Sequence, residues 1–80
     1  MDRWLRRGDL AKELRLTVPT VKYYTSFGLF PVERRTPHGQ FLYDREDIRR
    51  RYLRIKELKD KRLTMQEIKD RLKIELLIQD

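Results

Sequence analysis

Apolar residues fall at helical spacing in four places along this chain, separated by Gly, Pro and short polar runs. In residues 8–15, Leu10, Ala11 and Leu14 stand at i, i+1 and i+4, one face of a short helix. Asp9 lies at its N-terminal end, where negative charge is favoured. Trp4 and Leu5 add a short apolar lead-in. Thr17 is placed as the N-cap of a second helix, with Pro19 in its first turn and Gly28 just past its end. At 100° per residue Val18, Val21, Tyr24 and Thr25 point inward, while Pro19, Lys22, Tyr23 and Ser26 point the other way. Only Leu16 and its neighbours separate the two helices, so the turn is tight. Two short helices at a tight turn, the second with a polar, basic and aromatic outer face, make a helix-turn-helix pattern, although generic paired helices share that spacing.

Residues 31–43 change period. Thr36-Pro37-His38-Gly39 is turn chemistry between flanks rich in β-formers, which predicts a β-hairpin with Arg34, Arg35 and His38 at or near its tip. A hairpin directly after a helix-turn-helix is a wing. A third helix is expected over 44–58, opened by Asp44 with Asp47 as a capping-box acid and carrying the stripe Ile48, Tyr52, Ile55 and Leu58. The run Thr64-Met65-Gln66-Glu67 is a full capping box that opens a fourth helix over 64–80, with Met65, Ile68, Leu72 and Leu76 as its stripe. The expected fold class is mainly α: a winged helix-turn-helix of four helices plus a short β-hairpin wing. It forms one domain over 1–80, with the helix-turn-helix at 8–28.

Charge sharpens this picture. The chain has 80 residues, with 20 Lys plus Arg against 13 Asp plus Glu, a formal net charge of +7. A pI near 10.1 favours a polyanionic partner. There is no cysteine, so no disulfide framework and no thiolate metal site, and a single His cannot supply a multi-His zinc site. The longest apolar stretch, 27–32, contains Gly28 and Pro31 and falls far short of the roughly 20 residues of a membrane span. The N-terminus lacks the apolar segment of a signal peptide, which fits a cytoplasmic, nucleoid-associated protein.

Catalysis finds little support. No Gly-rich phosphate loop and no nucleophile motif is present, so no enzyme, cofactor or metal is expected, and no small-molecule effector is evident. Asp44, Glu46 and Asp47 would suit a metal cluster, but cap and helix dipole account for each of them. His38 beside Gly39 fits a solvated tip residue or a phosphate contact better than a general base.

Binding to double-stranded DNA accounts for more residues. Lys and Arg release the counterions of duplex phosphates. Lys22 lies outward on the second helix, and Thr20, Tyr23 and Ser26 beside it offer hydroxyls to phosphates or base edges. The expected DNA-binding set is Thr17, Pro19, Thr20, Lys22, Tyr23, Tyr24 and Ser26 on the second helix, with Arg34, Arg35, His38 and Gln40 on the wing. Lys61 and Arg62 in the turn after the third helix complete it. Arg49-Arg50-Arg51, by contrast, is expected to be a solvated face paired with Glu46 and Asp47.

At these residues the chain resembles a known family. Gly8-Asp9-Leu10-Ala11, Thr17 to Tyr24, Gly28-Leu29, Gly39 to Tyr43, Tyr43 to Ile48 and Leu63 to Ile68 resemble, in collinear order, the N-terminal DNA-binding domain of MerR-type transcriptional regulators. The resemblance spans roughly residues 5 to 73. It implies that the second helix enters the major groove, the wing contacts the backbone and the turn between the third and fourth helices is a second wing. There are departures. Lys22 stands where the family usually has Arg. Arg7 stands at an often apolar place that Trp4 or Leu5 would fill. Phe41 replaces a wing arginine, whose phosphate contact would pass to Arg34, Arg35 or Gln40. Effector-sensing members continue into a long dimerisation helix, whereas this sequence stops at Asp80, so a regulator without an effector domain in this chain is expected.

At the C-terminal end, Ile74, Leu76, Leu77 and Ile78 exceed one helical stripe. This suggests a homodimer through Leu72, Leu76 and Leu77, unless Leu77 and Ile78 fold back or fray. The leading expectation is therefore a sequence-specific transcription regulator. The alternatives are an excisionase-like or packaging-type architectural DNA-binding protein, and a protein-interaction adaptor.

Overall fold

A computed structural model describes residues 3–78, with side chains through residue 75. Strand β1 (Trp4–Arg6) runs straight into helix α1 (Arg7–Leu14), and α2 (Val18–Phe27) follows a tight turn. Strands β2 (Arg34–Arg35) and β3 (Phe41–Asp44) form the wing. Helix α3 (Arg45–Asp60) continues from β3 without a break, and α4 (Met65–Ile78) follows a short turn. This is a mainly α winged helix-turn-helix.

The helix ends follow their local chemistry. The Thr17 hydroxyl accepts from the Thr20 N–H at 3.2 Å. Gly28 closes α2 in the left-handed region at φ 94, where its N–H reaches the Thr25 carbonyl at 3.1 Å. Thr64 and Glu67 cap α4 reciprocally, at 2.9 Å and 3.2 Å. The Asp44 carboxylate takes the N–H groups of Glu46 and Asp47. Asp47 does not complete a box at α3. Its oxygens accept from Arg50 and Arg51, both at 2.9 Å, because two guanidinium groups at i+3 and i+4 outbid a neutral cap N–H.

The sheet holds one strand more than the expected hairpin. Its order is β1-β3-β2, all antiparallel, with Trp4 opposite Asp44, Leu5 opposite Tyr43 and Arg6 opposite Leu42. The lead-in at Trp4 and Leu5 therefore covers what would be a bare edge of the wing. Arg3 secures it: its guanidinium donates to Asp44 at 3.0 Å and 3.1 Å, and its carbonyl accepts from the Arg45 N–H at 2.8 Å.

The core gathers Leu10, Ala11, Val21, Tyr24, Leu29, Phe30, Tyr43, Ile48, Ile55, Leu58, Ile68 and Leu72 from all four helices, β3 and the α2–β2 loop. The α3 stripe is as expected, with Tyr52 half-buried. Two expectations are corrected. Val18 is 38% exposed rather than inward, because it holds the first helical position, ahead of the turn in which Val21 meets the core. Leu72 is 4% exposed and belongs to its own chain's core, so it has no surface left for a partner helix. Ile74 is exposed, while the side chains of Leu76 and Leu77 lie outside the described residues.

Candidate nucleic-acid interface

Helix α2 presents the polar face that its sequence spacing implies. Thr17, Pro19, Lys22, Tyr23 and Ser26 are exposed and Thr20 is half-exposed. The hydroxyls of Thr17 and Thr20 lie 2.8 Å apart at the start of the helix. Tyr23 is 50% exposed, its ring leaning towards Phe27 with centroids 6.0 Å apart. Tyr24 is placed elsewhere. It is 5% exposed, packs edge-on to Phe30 at 5.1 Å and accepts a hydrogen bond from Lys59 Nζ at 3.4 Å. It works from inside, joining α2 to the last turn of α3.

A hydrogen bond between Tyr43 and Thr25, at 2.7 Å, fastens the wing to α2. Its tip is tied by the Thr36 N–H to the Gln40 carbonyl at 2.9 Å and by the Gly39 N–H to the Thr36 carbonyl at 2.8 Å. His38 and Gln40 are exposed there. Arg34 and Arg35, expected at or near the tip, make up strand β2 and stand on opposite faces of the sheet, since successive strand residues alternate. Arg34 shares a face with Leu42, and its guanidinium lies 4.2 Å from the centre of the Trp4 ring. Arg35 shares a face with Phe41 and stacks on it at 4.8 Å. Lys61 and Arg62 are exposed in the α3–α4 turn, with Arg62 in the left-handed region at φ 64.

Charge pairing divides the arginines into two groups. Arg3 pairs with Asp44, Arg45 and Arg49 with Glu13, Arg50 and Arg51 with Asp47, and Arg54 with Glu57 and Glu75. Among the described residues Arg6, Arg7, Arg15, Arg34, Arg35, Arg62 and Arg71 have no such ion pair. The Arg49-Arg50-Arg51 run is thus ion-paired within the chain, although Glu13 and Asp47 are two carboxylates shared among four arginines. The unpaired arginines sit on the wing sheet, at both ends of α1, in the α3–α4 turn and, for Arg71, on α4. Burial pushes the Asp44 carboxyl up, but the Arg3 guanidinium and the N–H groups of Asp47 and Glu46 outweigh it and hold it below its ordinary value. The hydrogen bonds from Arg54 likewise hold Glu75 low against its own burial.

The candidate set drawn from the sequence did not include Arg6, Arg7 or Trp4, and the sequence placed Lys59 in a basic turn without its bond to Tyr24. Arg7 begins α1 and lies 5.2 Å from the Phe41 ring centre. The strand-forming character of 4–6 was the available signal for Trp4 and Arg6. No local pattern brings Arg7 to Phe41, or Lys59 to Tyr24.

A small α-helical domain with a helix-turn-helix, a sheet wing and unpaired cations about both defines a winged helix-turn-helix DNA-binding module. The family model described as MerR HTH family regulatory protein matches residues 5–74, and the chain belongs to that family. It is also 39% identical over 67 residues to the nodulation protein NolA of Bradyrhizobium sp. (strain NC92). That match covers 84% of this chain and 27% of the relative, so the chain spans about a quarter of the relative's length. MerR-type helix-turn-helix proteins are DNA-binding regulators of transcription that engage double-stranded DNA. Among the described residues no helix is long and apolar enough to cross a membrane.

Proposed function

We propose that this chain recognises particular duplex sequences as a transcription regulator, with α2 in the major groove. Lys22 and Tyr23, with Thr17, Pro19, Thr20 and Ser26, form the groove-facing surface. Side-chain donors of this kind suit base edges and flanking phosphates. Arg34, Arg35, His38 and Gln40 on the wing, with Lys61 and Arg62 in the α3–α4 turn, contact the backbone on either side. The observation that carries this reading is the division of the arginines. The α3 run is ion-paired with the chain's own Glu13 and Asp47, whereas Arg34 and Arg35 on the wing and Arg62 in the α3–α4 turn have no ion pair among the described residues.

Selection of bound sequences from a random duplex pool tests it. An enriched motif supports specific recognition, and a palindrome of two half-sites about one helical turn apart supports a homodimer. Binding without enrichment would reject sequence-specific regulation and favour an architectural role. A lack of any duplex binding at low salt would reject DNA recognition.

A further inference from the structure

The wing sheet has two unlike faces. Residues opposite one another on antiparallel strands share a face, and so do alternate residues along one strand. Leu5, Tyr43, Phe41 and Arg35 thus lie on one face, where Tyr43 is fully buried and bonded to Thr25 of α2. Trp4, Arg6, Leu42, Arg34 and Asp44 lie on the other. Arg6, Leu42 and Arg34 form one row straight across the three strands. The Arg34 guanidinium reaches diagonally to within 4.2 Å of the Trp4 ring centre, and that of Arg3 lies 5.1 Å from the same ring. Trp4 and Leu42 are only half-buried at the middle of this face, with Arg3, Arg6 and Arg34 exposed around them.

The charge of this outer face is one-sided. The register places one acid on it, Asp44, whose carboxylate is committed to Arg3 and to two backbone N–H groups. Arg6 and Arg34 have no ion pair among the described residues. An arginine laid on an aromatic ring keeps its N–H edge free for a further acceptor. Aromatic and apolar side chains set among arginines have the make-up of the centre of a protein interface. A phosphodiester chain would satisfy the arginines but leave Trp4 and Leu42 uncovered. Since α2 is fastened to the opposite face through Thr25, the outer face is turned away from it. Arg34, beside the wing tip, stands at the margin of the two surfaces.

We propose that the outer face of the wing sheet, centred on Trp4, Arg6 and Leu42, docks an acidic protein segment in which carboxylates alternate with apolar side chains. The carboxylates pair with the arginines, and the apolar side chains cover Trp4 and Leu42. This goes beyond the duplex-binding reading: a chain seated on DNA through α2 presents this face to a second protein.

Trp4 is the one tryptophan of the chain, so its emission reports on this face directly. The probe is a short synthetic peptide alternating Glu with Leu, titrated into the full chain alone and with saturating duplex DNA. A saturable change in Trp4 emission with reduced acrylamide quenching is expected, at the same affinity with duplex present. Replacing the probe's Glu by Lys, or its Leu by Ser, should weaken binding by about tenfold or more. R6E should lose about tenfold or more and L42S several-fold, whereas R35E, on the opposite face, should bind the probe as the wild type does. Thermal melting checks that each variant folds; Arg6 is exposed and without an ion pair, so R6E carries the comparison if L42S melts early. No Trp4 response to the probe, equal binding of the Lys peptide, or an R6E chain that binds like wild type would overturn the proposal. Displacement of the probe by duplex would assign the face to DNA and overturn it as well. Probe binding by a chain that fails to bind duplex would support this surface and remove the duplex-binding reading alone.

Discussion

The hydroxyl of Tyr43 donates to Thr25 Oγ1 at 2.7 Å, because the Thr25 proton is itself committed to the Val21 carbonyl at 2.7 Å. The wing is thereby registered on the helix whose outer face carries Lys22. Tyr43 is fully buried, so the two ends of the bond are not equivalent. Y43F leaves Thr25 satisfied by Val21 and should cost about 1 kcal/mol. T25V strands a buried phenol and should cost about 1–3 kcal/mol. The double variant should cost less than the sum. Denaturant melts of the three variants check this order, and a T25V milder than Y43F would contradict it.

Left-handed backbone gives a second pair of expectations. Gly28 sits at φ 94, and an added Cβ would lie 3.2 Å from Lys69 Cε and 3.3 Å from its Nζ. G28A should therefore lower stability by about 1 kcal/mol or more. Arg15 closes α1 at φ 58 without being glycine. R15G should leave the melting temperature unchanged or raise it, since released strain offsets the added chain entropy.

Several elements were legible because their causes are local. Thr17, Gly28 and the Thr64–Glu67 box act within one turn, and the Ile48, Ile55 and Leu58 stripe needs only helical period. Strand β1 was not legible, because its partners Leu42 to Asp44 lie some forty residues away and three residues carry too little pattern. The fate of Asp47 depended on which donors compete for it in three dimensions. Arg34 and Arg35 were separable in principle from strand alternation, but a span of two residues hides a period of two. The Arg7–Phe41–Arg35 cluster joins three elements, and only the assembled sheet against α1 reveals it.

Acid sensitivity follows from Asp44. Its carboxyl is held below the ordinary value of 3.8, so the ionised form stabilises the folded state. That contribution is present above 3.8 and fades as the pH falls through the depressed value. D44N keeps a competent cap but loses the charge partner of Arg3. The side chain of Arg3 is 68% exposed, so the loss at neutral pH should stay under about 1 kcal/mol. The acid limb of the stability curve should flatten. Melting temperature followed against pH for both proteins checks this; parallel acid limbs would contradict it.

Exposed Tyr23 and Lys22 should differ in kind at the groove. Y23F removes a hydroxyl and leaves the ring against Phe27, so it should change sequence preference with little effect on stability. K22A should lower affinity and shallow the salt dependence by about one counterion unit. Competition binding with related duplexes checks the first, and titration across salt the second.

The central claim is that unpaired cations around α2 and the wing, and not the arginine run of α3, meet DNA. The most direct measurement is the salt dependence of duplex affinity for the wild type, K22Q/R34Q and R49Q/R50Q. The wild-type slope should correspond to about 4–6 phosphates per chain; K22Q/R34Q should reduce it by about two, and R49Q/R50Q should leave it unchanged. If R49Q/R50Q shallows the slope as much as K22Q/R34Q does, the α3 run lies on the DNA and the assignment is contradicted.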